Sequence, residues 1–199
     1  PQKLVTLDVE GVLIPEVWIN LAIRTGIDDL RRTTRDEPDY DKLMASRLEI
    51  LEREGVGMAD LREVLAGMSP LEGAKDFLDG LRDAYQVVLL SDTFEQFASP
   101  LMQQLGHPAI LCHQLEVRDD RIVDYVLRID DHKRRSVEAF RSLNFQVVAA
   151  GDSYNDTTML GVADAGIFYQ PPQNVIEEFP QYPVTQTYEA LQQQFLAAK

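Results

Sequence analysis

The sequence predicts an α/β fold in which a parallel β-sheet lies between two layers of helices. Short apolar runs with β-branched residues, typical of buried strands, occur at 4–7, 86–90 and 146–150. From residue 73 onward, segments with apolar residues at helical spacing separate such runs. Strands that alternate with helices imply right-handed parallel connections and therefore a three-layer core.

Length, composition and charge limit the class of protein. The 199 residues suffice for one domain that carries an insertion, and 45% of them are hydrophobic, which is enough for a packed core. The 19 basic and 33 acidic residues give a formal charge of −14. Such a surface repels nucleic acid and anionic lipid, so neither is expected as a partner.

The single cysteine and the absence of targeting signals favour a cytoplasmic protein. Cys112 cannot form an intramolecular disulfide, and its apolar surroundings predict a buried thiol. We find no signal peptide and no apolar stretch of membrane length in the sequence, so we expect no membrane association.

The chain between the first two strands is predicted to be helical throughout. Pro15 suits the start of a helix and Gly26 its end. Two further helices are predicted at 40–54 and 58–68, after a charged loop at 31–39. We therefore predict that residues 15–69 form a helical cap inserted into a core of residues 1–14 and 70–199.

The remaining elements follow from the same patterns. The predicted helices are 74–85, 95–105, 132–143, 154–162 and 188–198. The predicted strands are 86–90, 109–112, 146–150 and, as the last strand, 165–168. The segments 114–117 and 122–127 flank Asp119-Asp120 and predict a small β-hairpin.

Polar residues follow three of the predicted buried strands. Asp8 and Glu10 follow the first strand, Ser91 follows the second, and Asp152 follows the third, with Asp156 four residues on. Ligands of open parallel sheets bind outside the carboxyl ends of the strands. A polar turn would also explain the first pair, and a helix cap would explain Asp152, but a cap leaves Asp156 unexplained.

If the strands bring these carboxylates together, the cluster needs a cation. At a separation of about 4 Å and an effective dielectric constant near 20, each like-charged pair costs about 4 kcal/mol. Oxygen ligands without a histidine or cysteine point to magnesium. Ser91 offers a hydroxyl group to phosphate oxygens, and Lys133 could balance the charge, although the basic run 133–135 also suits a solvated helix face.

Four ordered motifs resemble the haloacid dehalogenase superfamily. They are Asp8-Val-Glu10-Gly-Val, the strand that ends in Ser91, Lys133, and Gly151-Asp152-Ser-Tyr-Asn155-Asp156. The resemblance runs from residue 4 to about 166 and implies a Rossmann-like core with a cap. Glu16, the tract 40–51 with Arg47, and the segment 70–74 resemble the phosphoserine phosphatase branch.

Two departures from that branch resemble a smaller bacterial group. Glu10 stands where aspartate is usual, and Asp92-Thr93 replaces glycines after the serine. Members of that group dephosphorylate phosphoserine, can transfer its phosphoryl group to homoserine, and act in serine and threonine biosynthesis. The resemblance implies the same activities for this chain. Water and homoserine remain alternative acceptors of the phosphoryl group. A homodimer is one alternative for the oligomeric state.

The resemblance also implies roles for individual residues. Asp8 would be the nucleophile and Glu10 the acid and base, with Lys133 beside them. The other implied roles are substrate binding by Glu16, Arg47, Ser91, Asp92, Lys133 and Asn155, and Mg²⁺ binding by Asp8, the carbonyl group of Glu10, Asp152 and Asp156. A phosphatase of the same fold for another small phosphoester, or a non-catalytic phosphate-binding module, are the alternatives.

Overall fold

The computed structural model describes residues 1–198 and contains a mostly parallel seven-stranded sheet in the order β4-β3-β2-β1-β5-β6-β7. The strands are β1 (Gln2–Leu7), β2 (Gln86–Phe94), β3 (Ile110–Arg118), β4 (Arg121–Val126), β5 (Phe145–Gly151), β6 (Ala165–Tyr169) and β7 (Val184–Thr185). The helices are α1 (Val17–Thr25), α2 (Tyr40–Arg53), α3 (Met58–Ala66), α4 (Ala74–Ala84), α5 (Glu95–Gln104), α6 (His132–Ser142), α7 (Thr157–Val162), α8 (Gln173–Glu178) and α9 (Tyr188–Ala197).

Strand β1 is central and aligns the strand ends that carry polar residues. It pairs in parallel with β2 on one side and with β5 on the other, with Leu7 opposite Leu89 and Ala150. The residues that follow β1 and β5 therefore meet the carboxyl-terminal part of β2, with Ser91 and Asp92, at one edge of the sheet, where the sequence predicts the site.

Alternating strand residues face two separate hydrophobic clusters. Leu4, Val147 and Ala149 belong to the cluster under α6 and α7, whereas Val5, Val148 and Ala150 belong to the larger cluster on the other face. Helices thus cover both faces of the sheet, which confirms the predicted three-layer α/β architecture.

The helices α1, α2 and α3 lie in the insertion between β1 and α4, and they share the larger hydrophobic cluster with the sheet. The tip of the β3–β4 hairpin anchors this insertion. The Asp120 carbonyl oxygen accepts a hydrogen bond from Met58 N at 2.7 Å, and its carboxylate accepts one from Ala59 N at 2.8 Å. Asp120 therefore caps the first turn of α3 from outside the insertion.

The structure corrects four local predictions. The segments 109–112 and 114–117 form one continuous strand, β3, because its first part pairs with β2 and its second with β4. Strand β2 extends four residues beyond the predicted end at 90, with an irregular register. The predicted helix 154–162 begins as a 3-10 turn at Tyr154–Asp156.

The strand at 165–168 is not the last one. Helix α8 and the two-residue strand β7 follow it, and neither is predicted because both are too short to show a hydrophobic period. The predicted core segment also includes Lys199, which lies outside the described residues. Within residues 1–198, no helix is long and apolar enough to cross a membrane.

Candidate active site

Asp8 lies where β1 ends, next to a tight turn at Gly11. Its amide donates to the Ala150 carbonyl at 2.9 Å, and its Oδ1 accepts from Val9 N at 2.8 Å. Gly11 has φ +80°, and a Cβ there would lie 2.1 Å from Asp152 Oδ2. Only glycine fits both this conformation and this approach, so Gly11 allows the first loop to close on Asp152.

Lys133 joins three strand ends through one buried ammonium group. Its Nζ lies 3.1 Å from Asp8 Oδ1, 2.8 Å from Asp156 Oδ1 and 3.2 Å from Asp92 Oδ2. Lys133 is buried at the first turn of α6, so the basic run does not form a uniformly solvated face. Burial alone would lower the pKa of Lys133, but the carboxylates, chiefly Asp156, raise it well above its usual value.

Asp156 accepts hydrogen bonds from three residues. Its Oδ2 accepts from Asp152 N at 2.9 Å and from Ser153 N at 3.1 Å, while Oδ1 accepts from Lys133. A Cβ at Gly151 would lie 2.3 Å from the Asp156 carboxyl carbon, so the glycine lets the loop close around this side chain. Asp156 therefore orders the loop after β5 and directs Lys133 towards Asp8.

The carboxylate cluster suits a divalent cation. Oxygen atoms of Asp8, Asp152 and Asp156 lie within 4.8 Å of one another. Burial, together with the charge of Asp156, raises the pKa of Asp8 and raises that of Asp152 to about 7. One lysine does not neutralise this group, and its hard oxygen donors fit Mg²⁺.

Glu10 lies beside the cluster, and its carboxylate faces the helical insertion. Glu10 Oε1 accepts from Val17 N at 2.8 Å, at the start of α1. Burial, followed by the charge of Glu16, raises the pKa of Glu10 to about 7. At neutral pH such a carboxyl group can both give and take a proton, as an acid–base catalyst must.

Arg47 reaches the site from α2 and is buried. Its guanidinium carbon lies 4.5 Å from the centre of the Trp18 ring, and its Nη2 donates to the Arg32 carbonyl at 2.9 Å. Among the described residues, its Nε has no hydrogen-bond partner, and burial lowers the pKa of Arg47 to about 10. An unpartnered buried guanidinium N–H costs free energy, and a carboxylate is the partner that suits it best.

The remaining candidate residues lie around this centre. Ser91 Oγ accepts from Thr93 N at 3.1 Å, which leaves its hydroxyl hydrogen free to donate. Glu16 directly precedes α1, and its side chain is exposed.

Asn155 lines a cavity of about 560 Å³ that is also lined by Asp92, Lys133 and Tyr40. Of Lys133 and the carboxylates around its ammonium group, this cavity reaches Lys133 and Asp92.

Two histidines near the site were not predicted. His132 Nε2 lies 2.9 Å from Asp92 Oδ1, and His113 Nε2 lies 3.5 Å from the same oxygen. Burial would raise the pKa of Asp92, but Lys133 and the two rings together hold it well below its usual value. Asp92 itself was the available signal, since a half-buried carboxylate near the end of a strand needs partners.

Comparisons with known proteins find similar sequences. The family model described as haloacid dehalogenase-like hydrolase matches residues 6–161. A Pseudomonas aeruginosa protein named phosphoserine phosphatase ThrH is 58% identical over 98% of this chain and 96% of its own length. A Pseudomonas syringae protein named phosphoserine phosphatase is 55% identical over 98% of this chain and 83% of its own length.

Solved structures show the same fold at low sequence identity. A phosphoserine phosphatase from T. onnurineus, in complex with NDSB-201, superposes with a TM-score of 0.75 at 22% identity, covering 100% of this chain and 96% of that one. A structure described as a phospho-aspartyl intermediate analogue of phosphoserine phosphatase has a TM-score of 0.79 at 16% identity, covering 97% and 98%. These two likenesses establish the fold.

The position of the Lys133 ammonium group among three carboxylates predicts how its loss affects the free energy of unfolding. Lys133→Met should destabilise the metal-free protein by about 3–5 kcal/mol, because it leaves buried carboxylates without their cation. Arg134→Met is the matched control, since Arg134 forms exposed ion pairs with Asp131 and Glu138 and should cost less than about 1 kcal/mol. Urea unfolding in the presence of a chelator measures both free energies, and equal losses would contradict this description.

Proposed function

The chain belongs to the haloacid dehalogenase-like hydrolase family, and on this basis we propose that it is a magnesium-dependent phosphatase of phosphoserine that works through an aspartyl-phosphate on Asp8. The observation that carries the proposal is the position of Asp8, at the end of the central strand, 3.1 Å from Lys133 Nζ and close to Asp152. The two Pseudomonas relatives named phosphoserine phosphatase support the choice of substrate.

In the first step, a carboxylate oxygen of Asp8 attacks phosphorus and forms the acyl-phosphate bond. The bond from phosphorus to the serine oxygen breaks, and Glu10 gives its proton to that leaving oxygen. Burial of Glu10 supports this role, because it raises the pKa to about 7 and keeps much of the carboxyl group protonated at neutral pH.

The developing charge on the phosphoryl oxygens needs fixed positive partners. Lys133 Nζ, the hydroxyl group of Ser91 and the backbone amide of Asp92 are the proposed donors. Mg²⁺, held by Asp8, Asp152 and the Glu10 carbonyl with Asp156 beside them, would supply Lewis-acid neutralisation of the phosphoryl charge. Asp8 can approach phosphorus as an anion because these groups offset its charge.

In the second step, Glu10 takes a proton from the incoming acceptor, whose oxygen attacks phosphorus and releases Asp8. With water as acceptor the product is inorganic phosphate. With an alcohol as acceptor the product is a new phosphoester, and the same residues serve both reactions.

Glu16 and Arg47 are the proposed contacts to the amino-acid end of the substrate. The buried guanidinium of Arg47, with a free Nε, suits the carboxylate, and Glu16 suits the ammonium group. Asn155 at the rim of the cavity is a further proposed contact. This pairing would select a phosphorylated amino acid over a phosphoester without those charges.

We also propose transfer of the phosphoryl group to homoserine. Homoserine is one methylene longer than serine, so the same contacts could hold it with its hydroxyl group near Glu10. The longer side chain of Glu10 and its enclosed position below α1 support this choice, because a positioned alcohol competes well with water.

The proposed substrate is tested by comparing the activity of variants on different phosphoesters. Arg47→Met keeps much of the volume against Trp18 but removes the charge, and with phosphoserine its kcat/KM should fall about a hundredfold. Glu16→Gln should cost phosphoserine turnover about tenfold. Both variants should retain most activity on an aryl phosphate, which lacks the amino-acid charges.

A steady-state panel of phosphoserine, phosphothreonine, sugar phosphates and an aryl phosphate measures these effects. Arg24→Met, on the neighbouring helix α1 and away from the site, serves as the control and should not alter the panel. Equal losses on all four phosphoesters would remove Arg47 and Glu16 from substrate recognition. Preference for a sugar phosphate would favour another small phosphoester as substrate.

Product analysis tests the acceptor. With phosphoserine, Mg²⁺ and excess homoserine, the protein should form phosphohomoserine together with inorganic phosphate. Phosphorus NMR distinguishes the two products, and Asp8→Asn should form neither. Inorganic phosphate as the sole product at saturating homoserine would show a plain phosphatase.

A further inference from the structure

Asp92 lies in the carboxyl-terminal part of β2, directly after Ser91, and both of its carboxylate oxygens have partners. Oδ2 lies 3.2 Å from Lys133 Nζ, whereas Oδ1 lies 2.9 Å from His132 Nε2 and 3.5 Å from His113 Nε2. The two imidazoles pack against each other with ring centres 4.5 Å apart. Neither histidine has a role in the steps described above.

The hydrogen bond on the far side of His113 determines what this cluster can do. Arg128 N donates to His113 Nδ1 at 3.0 Å, so a neutral ring carries its hydrogen on Nε2, the nitrogen that faces Asp92. A ring nitrogen that binds a metal must present a lone pair, and His113 Nε2 presents N–H instead. The cluster is therefore a set of donors around one carboxylate rather than a second metal site.

His132 and Lys133 are consecutive residues at the start of α6, and they hold different oxygens of the same carboxylate. This arrangement fixes the orientation of the Asp92 side chain. It also fixes where the long lysine side chain ends, because Lys133 Nζ must reach Asp92 Oδ2 and Asp8 Oδ1 together. Holding a flexible ammonium group in one place reduces the cost of ordering it during the reaction.

We propose that His132, with His113 behind it, is a positioning residue that acts through Asp92 to fix Lys133 and the Ser91-Asp92 backbone around the phosphoryl group. This inference rests on the proposed phosphatase function. The histidine Nε2 atoms face Asp92 Oδ1 as donors, so that Lys133 contacts Oδ2 and remains available to Asp8 and to phosphate. Without them, Asp92 would draw the lysine away from the nucleophile.

A double-mutant cycle tests this coupling. His132→Leu removes the donor and should lower kcat/KM on an aryl phosphate about tenfold to a hundredfold, as expected for a lost hydrogen bond to a charged group. His132→Gln offers an N–H at a similar distance and should recover most of that activity. In an Asp92→Asn background, His132→Leu should change kcat/KM less than threefold, because the carboxylate through which His132 acts on Lys133 is already absent.

A structural role alone predicts a different pattern. The losses from His132→Leu and Asp92→Asn would then multiply, and His132→Gln would not recover activity. Arg135→Leu, at an exposed position of the same helix, is the matched control and should leave the kinetics unchanged. Multiplying losses, or wild-type kinetics for His132→Leu, would overturn the proposal.

Binding of inorganic phosphate gives a readout that needs no turnover. Calorimetry with Mg²⁺ and phosphate should show weaker binding to His132→Leu by a similar factor and near-normal binding to His132→Gln, with thermal unfolding recorded to confirm that each variant is folded. If the His132 and Asp92 substitutions are coupled in kcat/KM on the aryl phosphate but the protein has no activity on phosphoserine, the proposed substrate is rejected and this inference stands. Unchanged phosphate binding in a folded His132→Leu protein would overturn it.

Discussion

The ammonium group of Lys133 is the interaction on which the site depends. It is buried among Asp8, Asp92 and Asp156, which lie in or after the carboxyl-terminal parts of β1, β2 and β5, and it lies within 3.2 Å of each. Removing charges from water costs several kcal/mol per ion, so such a group persists only where its partners are fixed in place. The parallel pairing of β1 with β2 and β5 supplies that precision, because it brings the three ends to one edge of the sheet.

The need to fix these carboxylates around Lys133 also explains two glycines in the loops. Gly11 and Gly151 leave room for Asp152 and Asp156, so the loops after β1 and β5 can close on each other. One lysine leaves the cluster with an excess of negative charge, which suits a divalent cation. The fold thus holds these charges close together, and burial and the charge of Asp156 raise the pKa values of Asp8 and Asp152 in the metal-free protein.

Much of this could be predicted from sequence because the informative patterns are local. The buried strands 4–7, 86–90 and 146–150, and the polar residues that follow them, predicted the sheet, the edge and the approximate position of the site. The continuous strand β3 was missed because its two halves pair with different neighbours, and β7 because two residues show no period. The histidine partners of Asp92 could not be predicted, since His113 and His132 approach it only through tertiary structure. The burial of Arg47 against Trp18 likewise depends on how α1 and α2 pack.

Chemical trapping of the phosphorylated protein tests the central claim, that this arrangement makes Asp8 a nucleophile. Radiolabelled phosphoserine and Mg²⁺ would be mixed with excess protein, quenched in acid within milliseconds, and the digested protein analysed by mass spectrometry. The label should lie on the peptide that contains Asp8, should be released by hydroxylamine, and should be absent from Asp8→Asn. Turnover without labelled protein at any quench time, or a label on another residue, would contradict the account.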